Sequence, residues 1–425
     1  MPKYMSLSVP YIVLLAKQFE IEELKRLKTR SQLVGVIGRM IHALQSERGA
    51  SSIYLASTGK RFAATRLELV GESEAVETEL HKIFESELSY SSHSNTKIIS
   101  LMAWVLLGLD ALPEFRERIR DQQLSGSESV AAFSRLIAGL ISLIFELADA
   151  TVDPDISRLL VTLFNLVEGK ESAGQERAVG ALAFASGLCA EPIKQRILHF
   201  IDAQERNFRI FLEFAAEPAT TSWHEMESMA CVTQLQQLRQ LIRTAKPDAA
   251  LDPNLSDTWF ECCSERLTAI WAIQCDLVDA IQKRCDALIS EAERELLDSE
   301  GLLKALRDKP PARAGAIDRF FDPELPVEQS LSFRPAGQED PHRAHSLIEL
   351  LQAQSLHLAN MEGELASAKR ALNERKIIER AKGILMARYS LSEDEAYKKL
   401  RTASMDQNRR LVEVAESVLA LSSLS

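Results

Sequence analysis

The sequence predicts an all-α protein: two packed helical bundles, then a coiled-coil helix leading into a small three-helix module. Three observations carry this expectation. Glycine is 17 of 425 residues, about 4% against a usual value of about 7%. Long stretches lack both glycine and proline, and apolar residues recur at helical rather than alternating spacing. With 46% hydrophobic residues the chain can bury real cores, which excludes wholesale disorder, and its length suits two to three domains of about 150 residues.

Residues 1–308 form the first unit. The apolar run Val9–Ala16 is short, is followed by Lys17 and Glu20, and lacks a cleavage pattern, so no secretory leader is expected. No uninterrupted apolar run approaches the roughly 20 residues that span a bilayer, and a cytoplasmic, membrane-free protein is the expectation. Ile37, Ile41 and Leu44 begin a helical stripe that continues to Ile53 and Tyr54. Trp104–Leu109, Phe133–Leu147 and Leu159–Val167 read as further helices. Trp259, Leu267, Ile270, Trp271, Leu277, Val278 and Ile281 mark a long amphipathic one.

Six of the 14 prolines fall in residues 309–345, and proline cannot donate within a helical ladder, so this is a linker. In 346–372, Leu347, Leu351, Gln354, Leu358, Met361, Leu365, Ala368 and Leu372 alternate at steps of four and three. A parallel coiled-coil homodimer is the natural reading, and a single helix lying on the large unit is the alternative. Residues 373–425 then divide into three helices. The first runs through Ile378, Ala381 and Leu385 to about Tyr389. Ser392 to Glu395 reads as a capping box for the second, which carries Ala396, Tyr397 and Leu400. Asp406 is expected to cap the third, with its inner stripe at Leu411, Val414, Ala415 and Val418. Leu385, Met386, Ala396, Leu400 and Met405 are expected in the core of this module.

Charge is unevenly spread. The net charge is −11, yet residues 371–410 hold ten Lys/Arg against six Asp/Glu, leaving −15 for the rest. A nucleic-acid site belongs in that basic stretch. The six cysteines (Cys189, Cys231, Cys262, Cys263, Cys275 and Cys285) form no CxxC pair and read as reduced packing thiols. No GxxxxGK[ST], HExxH, GxSxG or strand-following GxGxxG occurs, and the eight histidines form no plausible metal pair. The expectation is therefore a non-enzyme with no metal and no cofactor.

Two segments echo each other. Glu47-Arg48 and Glu176-Arg177 each precede small or modest residues, and the two arginines lie 129 positions apart. A small-residue setting lets helices approach closely and places a guanidinium near a core, where it needs an anionic partner. Its planar fork suits a flat oxyanion; the competing account is an internal ion pair with Glu47 or Glu176. LQSERGASSIYLAS, EGKESAGQERAVGALAFASG and a late Trp-Phe segment before an arginine-bearing helix resemble the NIT (nitrate- and nitrite-sensing) family over roughly residues 30–290. That resemblance implies a nitrate or nitrite effector, with Arg48 and Arg177 as ligands. It implies a third arginine from the Gln234–Arg239 stretch, with Arg239 preferred over Arg243 and Arg266.

The strings NERKIIERAKGILM, LSEDEAYKKLR and SMDQNRRLVEVA resemble the ANTAR family of RNA-binding modules over about 55 residues, without gaps. NIT followed by ANTAR is the layout of NasR-like nitrate-responsive transcription antiterminators. The resemblance implies that ligand binding frees the module to bind tandem leader-mRNA hairpins, which prevents intrinsic termination. Loop bases are read by hydrogen bonds and stacking while cations hold the flanking phosphates, so Arg380, Lys382, Arg401, Arg409 and Arg410 are the candidate contacts. Gly383, without a side chain, would let a base or backbone approach closely. The alternative from another class is a DNA-binding transcriptional regulator that senses a different small anion.

Overall fold

A computed structural model of the chain describes residues 9–89, 96–149, 153–246, 249–308 and most of 374–422. The linker at 309–345 and the heptads at 346–372 lie outside the described residues, as does Ser392 of the expected capping box.

Ten helices precede residue 309 among the described residues: α1 Val9–Ala56, α2 Ala63–Ser89, α3 Thr96–Asp110, α4 Leu112–Arg120, α5 Gly126–Asp149, α6 Pro154–Ser186, α7 Glu191–Phe214, α8 Glu217–Glu227, α9 Ala230–Thr244 and α10 Leu255–Asp308. The two-residue strands β1 (Leu188–Cys189) and β2 (Ala249–Ala250) pair antiparallel and pin the α6–α7 turn to the start of α10. Helices α2 and α5 pack on α1, and α3 packs on α5; α7 and α10 pack on α6, and α8 and α9 pack on α10. Because α10 also packs along α1, the two sets share one continuous apolar core, running from Leu27 to Cys285. None of the six cysteines is disulfide-bonded, and five are buried in that packing.

Helix α6 is the centre of the large helical unit, and its sequence marks both ends. Asp153 is the N-cap, its carboxylate accepting from the Ile156 N–H at 2.8 Å, and Pro154 stands where its missing N–H costs nothing. Gly187 closes the helix at φ 68°, a left-handed conformation suited to glycine. Replacing Asp153 by alanine should cost about 1 kcal/mol, read as a lower denaturation midpoint of the full-length protein.

Among the described residues two stretches, Thr96–Arg120 and Gly126–Leu147, are long and apolar enough to cross a membrane by length and composition alone. The second is core here, with Phe133, Ile137, Leu140 and Ile144 buried.

The carboxy-terminal module comprises helical backbone over 380–386, then α11 (Glu393–Asp406) and α12 (Leu411–Ser422). Its small core is Ala381, Leu400, Val414 and Ala415. Two sequence expectations change. Asp406 is the last residue of α11 rather than a cap for α12, which begins five residues later. The chain first turns through Ser404, whose hydroxyl donates to the Arg409 carbonyl at 2.6 Å. Met405 is 70% exposed because Leu400 and Ala403 already occupy the inward face of α11.

Candidate functional site

The echo seen in sequence becomes a contact between α1 and α6. His42 meets Lys170, Gln45 meets Glu171, Arg48 lies on Gly174, and Arg177 lies on Gly49. The pairs ascend together, so the two helices run parallel. A Cβ at Gly49 would stand 2.7 Å from Arg177 Nη2, and one at Gly174 would stand 2.8 Å from Arg48 Nη2. Both glycines are there because a guanidinium fills the space a side chain would take.

The acidic members of the two Glu-Arg pairs are occupied elsewhere. Glu47 is forked by Arg116, Nε to Oε1 and Nη2 to Oε2 each at 2.9 Å. Glu176 is forked by Arg239, at 2.7 and 2.6 Å, and accepts from Gln204 Nε2 at 2.7 Å. An internal pair of each arginine with its own neighbouring glutamate is therefore not what forms. Burial would raise Glu176, but the Arg239 charge and hydrogen bonds outweigh it and hold the carboxyl below its usual range.

This leaves Arg48 and Arg177, and they differ. Arg48, 1% exposed, forks Glu171 with Nη1–Oε1 at 2.5 Å and Nη2–Oε2 at 3.1 Å, and reaches Ser134 Oγ at 2.8 Å. Arg177 is only partly buried, and no carboxylate lies within ion-pairing distance of it among the described residues. It donates to Ser264 Oγ at 3.0 Å and weakly to the Gln45 carbonyl at 3.4 Å, and lies over the Phe260 ring. Among the described residues its buried Nε has no hydrogen-bond partner. Burial, with the Arg48 charge adding to it and Cys263 and Glu171 opposing it, lowers its pKa to about 10. An unneutralised guanidinium with an idle donor, beside a second guanidinium, is a place for an anion.

Arg239 is not brought to that point. It belongs to a second cluster with Glu176, Gln204 and Arg266, whose Nη1 donates to Gln204 Oε1 at 2.8 Å. Arg243 pairs at the surface with Glu205. Sequence reasoning missed Arg116 and Glu171, the residues that decide which cations are neutralised. Glu171 lies in the same quoted motif as Arg177, but six residues put it on a different face of the helix, and its partner is Arg48 on α1, so spacing along the chain gave no signal.

In the carboxy-terminal module, Arg380 and Gly383 are exposed, and nothing lies within 4 Å of where a Gly383 Cβ would be. Lys382 is 6% exposed. Arg409 is folded back on Glu413 and Ser417, and Arg410 pairs with Glu374 at 2.6 Å. Arg401 reaches out of the module to Asp202 on α7 at 3.1 Å. One turn earlier, Tyr397 stands edge-on to His199 and under Arg206, both also on α7. The α7 positions 199, 202 and 206 share one helix face, and this face holds α11.

The fold and its clusters define an all-α protein with an arginine pair at the α1–α6 contact, joined to a small basic helical module. The NIT family model, described as nitrate and nitrite sensing, matches residues 39–282, and the ANTAR domain model matches 366–419. The chain is 31% identical over 409 residues to the nitrate regulatory protein of Klebsiella oxytoca, covering 96% of this chain and 94% of that one. The structure of the NasR transcription antiterminator superposes with a TM-score of 0.60 at 28% identity, covering 97% of this chain and 98% of the other. A 72-residue stretch is 38% identical to the transcriptional regulatory protein PdtaR of Mycobacterium tuberculosis, spanning 17% of this chain and 35% of that regulator. The chain belongs to the NIT family and is a NasR-like regulator in which a NIT sensor precedes an ANTAR domain.

Proposed function

We propose that this protein is a transcription antiterminator in which nitrate or nitrite, held by Arg48 and Arg177, releases the ANTAR module to bind tandem leader-RNA hairpins and so prevent intrinsic termination. The observation that carries the reading is Arg177, which pairs with no carboxylate among the described residues although Glu176 and Glu171 lie on the same helix. Arg239 would join the ligand only by giving up Glu176; in the arrangement described it keeps that carboxylate away from Arg177. The reading includes a homodimer through the 346–372 heptads, matching two hairpins, and a cytoplasmic regulator rather than an enzyme.

Release has a physical basis in α7. One face carries His199, Asp202 and Arg206 against α11, while Gln204 on the same helix bonds Glu176, the neighbour of Arg177. A ligand shifts such an equilibrium only through differential affinity for the docked and undocked arrangements, and the coupling is reciprocal. RNA should therefore tighten nitrate binding by the factor by which nitrate tightens RNA binding.

The test is a gel-shift titration of full-length protein against a leader RNA with two hairpins and against DNA duplex of the same sequence, with and without nitrate. Tighter hairpin binding in nitrate is expected. Sequence-specific duplex binding without hairpin binding would instead favour the DNA-binding alternative. The docking contact gives a smaller prediction. Asp202→Arg puts like charges together across α7 and α11, and an exposed pair is worth about 0–1 kcal/mol. RNA affinity without nitrate should therefore rise by up to about fivefold.

A further inference from the structure

The 129-residue offset that relates Arg48 to Arg177 also relates His42 to Glu171. Arg48 meets a carboxylate on α6, whereas the matching position on α1, within electrostatic reach of Arg177, holds an imidazole. Burial, reinforced by Lys170 and Arg177, takes the His42 pKa down to about 3, so the ring is neutral. It stacks flat on Trp271, with centroids 4.1 Å apart and planes 3° apart. Glu171 by contrast receives both Arg48 nitrogens, Gln45 Nε2 and Gln175 Nε2, so its carboxylate occupies a site built for a planar oxyanion.

Beside His42 stands Lys170, 1% exposed. Its Nζ lies 3.1 Å from His42 Nδ1, 3.3 Å from Gln274 Oε1 and 4.5 Å from the Trp271 ring centre. An ammonium has three N–H donors, so one remains over after these two bonds. No carboxylate pairs with this amine among the described residues. Facing groups are His42 from α1, the Cys275 thiol from α10, whose pKa burial pushes up, and Glu171 and Arg177 from its own helix. Lys170, Gly174 and Arg177 share one face of α6, so the amine and the unneutralised guanidinium flank the same stretch of α1.

From this geometry we propose that the anion sits against Arg177, His42 and Lys170, in the place that Glu171 takes on the Arg48 side, and that it binds together with a proton taken up by Lys170. This rests on the anion-site reading above and extends it to a further ligand and to pH. Burial lowers the Lys170 amine to about 7, which leaves much of it uncharged near neutrality when no anion is present. An anion beside it favours the ammonium, raising the pKa in the complex above that of the free protein. Binding is then strongest below pH 7 and weakens above it, by up to about tenfold per pH unit, until the pKa of the complex is reached.

The experiment is calorimetric titration of the full-length protein with sodium nitrate at pH 6 and pH 8, each in two buffers of different ionisation enthalpy. Affinity about tenfold lower at pH 8, with uptake approaching one proton per nitrate, is the expected result. Lys170→Arg should bind at both pH values without that dependence, and Lys170→Met should bind at least about tenfold more weakly, also without it. Equal wild-type affinity at the two pH values with no proton uptake would overturn the proposal, as would a Lys170→Met protein that keeps the wild-type dependence. Failure of the wild type to bind nitrate at either pH would overturn the anion-site reading itself, and this inference with it.

Discussion

Arg239→Met should be among the most destabilising single changes in the sensor, at about 3–5 kcal/mol, because it strands a carboxylate in the core. Glu176 is fully buried, and Arg239 supplies two of its hydrogen bonds together with the charge that offsets burial. Gln204, also fully buried, supplies a third bond but no charge. The double change Glu176→Gln with Arg239→Met should recover most of the loss, since a neutral amide needs no cation and methionine keeps the volume. Denaturant unfolding of the four proteins in the cycle gives the coupling energy directly. A single Arg239→Met protein as stable as wild type would mean that Glu176 finds another cation, with Arg266 nearest at hand.

Arg177→Met should have the opposite profile. It removes a charge that pairs with no carboxylate among the described residues, so the ligand-free fold should be as stable as wild type or slightly more so. Nitrate affinity should fall by about 10- to 100-fold, the worth of a charge-assisted hydrogen bond of roughly 1.5–3 kcal/mol. Arg48→Met should lose affinity too, but it leaves Glu171 buried without its cation and should destabilise the protein as well. Calorimetry with nitrate and a thermal melt of the same samples separate the two arginines. Wild-type nitrate affinity in a folded Arg177→Met protein would place the ligand elsewhere.

Much of the helical architecture was legible because it is written in local terms. The Leu159–Val167 stretch reads as a helix, and the structure extends it to Asp153-Pro154 and Gly187 through rules of capping and left-handed backbone that operate within a few residues. Glycine and proline scarcity and the apolar stripes required helices throughout. The motif around Leu400, Val414 and Ala415 gave the module's core correctly, while Met405 and Asp406 were misread. Asp406 was misread because the turn after α11 depends on Ser404 and Arg409 rather than on a helix-start signal, and Met405 because Leu400 and Ala403 take the inward face of α11.

By itself the sequence determined the helices, the repeated Glu-Arg pairs, the glycines beside them and the concentration of basic residues near the carboxy terminus. Only the tertiary structure decided how the buried charges are shared out. Spacing allowed Glu47 and Glu176 to neutralise Arg48 and Arg177; instead Arg116 and Arg239 take those glutamates from 69 and 63 residues away. Ion pairing depends on distance in space and on burial, and neither is a function of separation along the chain. For the same reason the contrast between Glu171 opposite Arg48 and His42 near Arg177 emerged only when α1 and α6 were laid side by side. An arginine is neutralised or available according to what the neighbouring helix presents to it.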